Sequence, residues 1–102
     1  MSVKVLTTRR LPHLVNEMEA ELLPQLDLLL IELRSLAFRQ PGYISGETMR
    51  NVNDSGEFLV ISTWKSTEDW QRWFENKDRE ALEAKIHVVL GSQTEFKVYA
   101  YD

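Results

Sequence analysis

The chain has 102 residues, 43% hydrophobic and 27% charged, with 12 Lys and Arg against 16 Asp and Glu for a formal charge of -4. That size supports one domain, residues 1–102, built around one core, and the composition excludes a disordered chain. The negative balance argues against nucleic acid or a membrane surface as partner, and the lack of cysteine excludes disulfides, zinc–thiolate sites, iron–sulfur clusters and thiol nucleophiles.

Val3-Lys4-Val5-Leu6-Thr7-Thr8 has the composition of a first strand, with imperfect alternation. No long apolar core of a targeting segment precedes it, and a cysteine-free chain of this kind fits a cytoplasmic location. Pro12 opens a short helical turn through Glu17, Glu19 and Glu21, and His13 beside it reads as structural or exposed. Pro24 is placed in the first turn of the main helix, because a proline inside a helix lacks its amide donor. From there Leu26, Leu29, Leu30, Leu33, Leu36 and Ala37 recur at threes and fours, a stripe that needs a sheet beneath it. Leu28 and Ile31 widen that arc. The leucine-rich stretch is interrupted by Pro24, Gln25, Asp27, Glu32 and Arg34 and is too polar to span a membrane.

Gln40-Pro41-Gly42 ends the helix, Tyr43 to Asn51 reads as the second strand, and Asn53-Asp54-Ser55-Gly56 as a hairpin turn. Glu57 to Trp64 is the third strand, apolar on both faces in its centre and therefore buried on both sides. Ser66 is an N-cap with Asp69 three residues on, and Trp70, Trp73 and Phe74 share one face of the short helix that follows. Asn76-Lys77-Asp78 breaks the run. A further helical segment carries the stripe Leu82, Ile86, Val89 and Leu90, an Arg79–Glu83 pair and a left-handed cap at Gly91. Thr94 to Tyr101 is the last strand.

The order β-α-β-β-α-β predicts an α+β, ferredoxin-like, four-stranded antiparallel sheet with its helices on one face. Two helical regions cover one face only. The other, apolar, requires a partner, and a second copy of the chain is the expected one.

The segments Pro41-Gly42-Tyr43-Ile44 and Ile61-Ser62-Thr63-Trp64, followed by Ser66, Trp70 and Trp73, resemble the antibiotic biosynthesis monooxygenase domain of the dimeric α/β-barrel superfamily. The similarity runs from about Val3 to Tyr101. It implies a homodimer whose two sheets close a barrel, with a cavity between sheet and helices in each subunit. It also implies one of three activities: cofactor-independent oxygenation of an aromatic or quinone-like molecule, haem degradation, or quinone and signal handling.

For the haem activity the stretch Arg79 to Lys85 holds no axial histidine, with Glu83 near the expected place, and the first strand offers Thr7 and Thr8 where that pattern has asparagine. For the oxygenase activity Trp64 matches, but the asparagine four residues earlier corresponds to Val60, which cannot hydrogen-bond a substrate. Oxygenation without a cofactor needs a base or an oxyanion donor in a dry cavity, and Thr7, Thr63, Tyr43 and His87 (if its ring turns inward from the last helical turn) are the polar candidates. Trp64 and Trp70 are the candidate ring-stacking residues, while Trp73 and Phe74 read as packing. Arg50, Lys65 and Arg72 read as exposed, Met18 and Met49 as gap fillers, and Tyr99 and Tyr101 as seam residues. No metal spacing is present, and no cofactor is expected. The competing functions are a metal- and flavin-free oxygenase, a non-catalytic small-molecule-binding or sensing dimer, and a haem protein.

Overall fold

A computed structural model describes residues 1–12 and 16–102, and the side chains of the first helix from Glu21 onward. His13 lies outside the described residues, and the side chains of Glu17, Met18 and Glu19 lie outside that description as well. The elements are β1 (Val3–Arg10), α1 (Asn16–Phe38), β2 (Tyr43–Asn51), β3 (Asp54–Trp64), α2 (Thr67–Phe74), α3 (Lys77–Leu90) and β4 (Glu95–Ala100). The strands pair antiparallel in the order β2-β3-β1-β4. This is the ferredoxin-like sheet read from the sequence.

Register fixes which side chains share a face. Val3, Val5, Thr7 and Arg9 of β1 lie opposite Trp64, Ser62, Val60 and Phe58 of β3, and Phe96, Val98 and Ala100 of β4 fall on the same side. That side meets the helices. Lys4, Leu6, Leu59, Ile61, Thr63, Met49 and Tyr99 point the other way. Met49 and Tyr99 are more than half exposed, so the second face is apolar and uncovered in the single chain.

Three details differ from the sequence reading. Pro24 sits inside α1, which begins at Asn16, so the expected short turn and main helix are one element. The missing amide bond costs about 3 kcal/mol in an isolated helix. Here the packing of Leu23, Leu26, Leu29 and Leu30 against Ile86, Leu90 and Leu11 offsets it. The apolar arc of α1 is narrower than predicted, with Leu28 and Ile31 exposed. The hairpin turns at Val52-Asn53 rather than at Asn53 to Gly56, held by the Asn53 amide donating to Asn51 Oδ1 at 2.8 Å, so Asp54, Ser55 and Gly56 extend β3.

Ser66 and Gly91 act as the caps read from the sequence, and Asn76, read there only as part of a break, caps α3. Ser66 Oγ accepts the Asp69 amide at 3.1 Å and donates to Asp69 Oδ2 at 2.9 Å; Asn76 Oδ1 accepts the Arg79 amide at 2.9 Å, and Gly91 closes α3 with φ 68°. The described residues form two cores. Val3, Val5, Trp64, Trp70 and Trp73 form one on the sheet; Leu26, Ile86 and Leu90 form the other between α1 and α3, and Leu33 touches both. Helix α1 therefore packs on α3 rather than flat on the strands. A space remains beneath it.

Candidate functional site

That space is a cavity of about 500 Å3. The sheet gives its floor through Thr7, Arg9, Phe58, Val60, Ser62 and Trp64, and α1 gives its roof through Leu30, Leu33, Arg34, Ala37 and Phe38. Trp70 and Trp73 of α2, Arg79 and Glu83 of α3, and Phe96 of β4 close it, and Tyr43, Gly46, Glu47 and Thr48 of the edge strand β2 complete the lining. The volume is in the range of sites for drug-sized molecules. Leu33, Trp64 and Trp70 wall the space without filling it.

At one end the aromatic rings hold one another. Trp64, 1% exposed, stacks on Trp73 with centroids 6.1 Å apart and planes 24° apart; it meets Trp70 at 6.0 Å and the edge of Tyr43 at 5.3 Å. Its Nε1–H donates to Ser62 Oγ at 3.1 Å. Ser62 spends a lone pair on that bond and keeps its own O–H to donate into the cavity. Tyr43 folds back along β2 so that its hydroxyl lies over Gly46, where any Cβ would collide with it. Burial pushes the Tyr43 phenol above its ordinary pKa, against a small opposing pull from Arg34, so it stays a neutral donor. With Trp64 almost wholly covered, its part is a rigid wall and not an open stacking platform.

The other end is ionic. Arg9 Nη1 and Nη2 donate to Glu83 Oε2 and Oε1 at 2.8 and 2.6 Å, a paired fork in which Arg9 is 3% exposed and Glu83 16%. Arg79 is buried with its guanidinium 4.6 Å from the Phe74 ring centroid and 5.0 Å from that of Phe96, and its Nη1 donates to the Phe74 carbonyl at 2.9 Å.

The structure thus brings Tyr43, Thr7, Trp64 and Trp70 to one cavity and leaves two candidates outside it. Thr63 follows Ser62 by one residue, so it points to the opposite face of the sheet, where Lys4 Nζ donates to it at 3.0 Å. His87 is exposed on the last turn of α3 and lines a shallower outer pocket, of which Arg79, Glu83 and Phe96 form the wall shared with the cavity. Arg50, Lys65 and Arg72 stand away from the lining; Arg34 is the exposed cation there. Trp73 lines the cavity, while Phe74 packs outside it on Trp70 and Phe96.

Sequence reasoning missed Arg9 and Ser62. The signal for both was phase: Arg9 continues Val3, Val5 and Thr7 at every second residue, and Ser62 lies between Val60 and Trp64 on the buried side. Among the described residues no cluster of three His, Cys, Asp or Glu side chains could hold a metal ion, and no helix is long and apolar enough to cross a membrane.

Comparison with solved structures finds the same fold at low identity. A conserved protein from Methanosarcina mazei superposes with a TM-score of 0.83 at 12% identity, covering 100% of this chain and 94% of that one. SnoaB, a cofactor-independent oxygenase from Streptomyces nogalater, gives 0.76 at 12% identity, covering 99% and 93%. Rv0793 from Mycobacterium tuberculosis gives 0.70 at 15% identity, covering 99% and 95%. No curated protein matches the sequence at a significant level. The sequence model described as antibiotic biosynthesis monooxygenase matches residues 17–85, well over half of the chain. On that match and on its fold, the chain belongs to the antibiotic biosynthesis monooxygenase family.

Proposed function

We propose that this protein is an oxidoreductase of the monooxygenase type, acting in this cavity on an electron-rich aromatic or quinone-like molecule without metal or flavin. The observation that carries the reading is an apolar space of about 500 Å3 walled by aromatic rings, with the Tyr43 and Ser62 hydroxyls at one end. Family membership supports it, as does the fold shared with a cofactor-independent oxygenase.

The chemistry balances with dioxygen as sole oxidant. A phenol loses its proton, and the phenolate passes one electron to O2. The resulting radical pair joins at a ring carbon to form a hydroperoxide. Loss of water leaves a quinone, one oxygen atom on the ring and the other in water. The residues hold the ring and donate to the oxygen carrying negative charge, and the aromatic walls exclude water, which strengthens both contacts. Glu47 borders the cavity at the edge strand but pairs with Ile61, so its side chain shares the open face of the sheet and is left out of the proton transfer.

Oxidation of 1,5-dihydroxynaphthalene to 5-hydroxy-1,4-naphthoquinone in air, followed by absorbance, tests this. Turnover above the uncatalysed rate is expected, falling about tenfold or more in the Tyr43→Phe, Ser62→Ala double variant. A panel of two- and three-ring phenols all left at the background rate sinks the reading. Binding of those phenols without turnover would favour the non-catalytic module. One feature speaks for that second reading: both oxygens of Glu83 are engaged by Arg9, which leaves the inner carboxylate poorly placed to act as a base. The haem alternative finds no support at His87, exposed outside the cavity.

The assembly proposed with this function is a homodimer through the open sheet face, where Leu6, Met49, Leu59, Ile61 and Tyr99 of one chain would meet their counterparts.

A further inference from the structure

The ionic end of the cavity contains two buried guanidiniums and one carboxylate. Glu83 is paired through both oxygens to Arg9, whose Nη1 also donates to Thr94 Oγ1 at 3.1 Å. The Nε of Arg9 is buried and has no partner among the described residues. Arg79 Nη2 stays 3.8 Å from Glu83 Oε1, beyond hydrogen-bond reach. A guanidinium carries five N–H donors, and among the described residues the pair engages only four of its ten, on one carboxylate, one hydroxyl and one carbonyl. Buried charges are normally paired. Among the described residues this cluster is one anion short. Burial pulls the Arg79 pKa below its ordinary value, with Glu83 opposing and Arg9 adding to the pull.

Resting on the reading of the cavity as a small-molecule site, we infer that its ligand is an aromatic carboxylate, its ring system between the aromatic walls and its acid group on the Arg9–Arg79 pair. Two positive charges less one negative match a monoanion, and the planar guanidinium fork suits a carboxylate. The ligand is elongated. Arg9 lies opposite Phe58 and Ser62 is four residues further along β3, about 13 Å of strand, so the acid and the ring hydroxyl address opposite ends of the cavity.

Fluorescence titration of the purified full chain with anthracene-2-carboxylate and its neutral isostere anthracene-2-carboxamide tests the inference. The carboxylate is expected to bind at least about tenfold more tightly. Arg79→Gln should remove that preference and leave carboxamide affinity in place. Glu83→Gln, by freeing Arg9, should raise carboxylate affinity by about tenfold, a gain that a damaged fold would not give. Equal or tighter binding of the carboxamide to the wild type overturns the inference, as does failure of both probes to bind or a loss of carboxylate affinity in Glu83→Gln. Carboxylate preference without phenol oxidation keeps this inference and removes the oxygenase reading; phenol oxidation without the preference does the reverse.

Discussion

The Arg9–Glu83 pair ties the second half of β1 to α3, and its removal gives a stability prediction that can be worked from the geometry. With Arg9 3% exposed and both oxygens of Glu83 engaged, Arg9→Met leaves a mostly desolvated carboxylate whose nearest cation, Arg79, is 3.8 Å away. Breaking one side of a buried pair costs 3–5 kcal/mol in general, and the partial exposure of Glu83 places this site at the low end, about 3 kcal/mol. Glu83→Leu leaves two guanidiniums facing each other and should cost about as much. The double variant removes both charges and keeps apolar volume, and Arg79 retains the Phe74 carbonyl and two rings. It should lose no more than about 2 kcal/mol, less than either single change. Urea unfolding followed by far-ultraviolet circular dichroism, at fixed protein concentration, measures all four corners of the cycle. At a slope of about 1.5 kcal/mol/M, the single variants should drop the midpoint by about 2 M. Single-variant losses below about 1 kcal/mol, or a double-variant loss equal to the sum of the two, would refute the claim that this pair is desolvated and mutually dependent.

Three further outcomes follow from the same structure. Ile61→Glu puts a charge in the middle of the open sheet face, and sedimentation equilibrium should show it at the 11.9 kDa chain mass while the wild type runs at twice that; a wild type already monomeric at micromolar concentration counts against the dimer. Gly42→Ala should destabilise by about 2 kcal/mol in thermal melts, since φ is 85° there and a Cβ would overlap the Asp69 side chain that completes the Ser66 cap; a change below about 0.5 kcal/mol would contradict the strain. Because burial raises the Tyr43 pKa in the folded chain, the unfolded phenol ionises first, so the stability this residue contributes is complete below pH ~10 and declines as pH rises through the folded value. Ultraviolet titration should show a late-ionising phenol that Tyr43→Phe removes; its persistence in that variant would assign it elsewhere.

Much of the fold was legible because local chemistry and tertiary need agree. Ser66, Gly91 and the Pro41-Gly42 punctuation act where their side chains or φ values demand, and the doubly apolar third strand has two faces to bury. Pro24 misled because a local penalty was outweighed by long-range packing between α1 and α3, which single-residue preference does not report. At the site, the aromatic wall was visible from residue type and spacing. The ionic end was not, since Arg9 and Glu83 are 74 positions apart and only their meeting makes a buried arginine tolerable at the end of β1. Thr63 was misplaced by one residue of strand phase, and His87, a candidate only if its ring turned inward, stays on the exposed face of α3.

The parity of β3 separates two evolutionary pressures along a single stretch of backbone. Residues 58, 60, 62 and 64 face the cavity, and residues 59, 61 and 63 face the other way, toward the surface proposed to meet a second copy. Ligand preference can therefore drift at the even positions while assembly is held at the odd ones. A single inserted or deleted residue in this strand would exchange the two sets at a stroke. Substitutions should thus be far better tolerated here than any change of length.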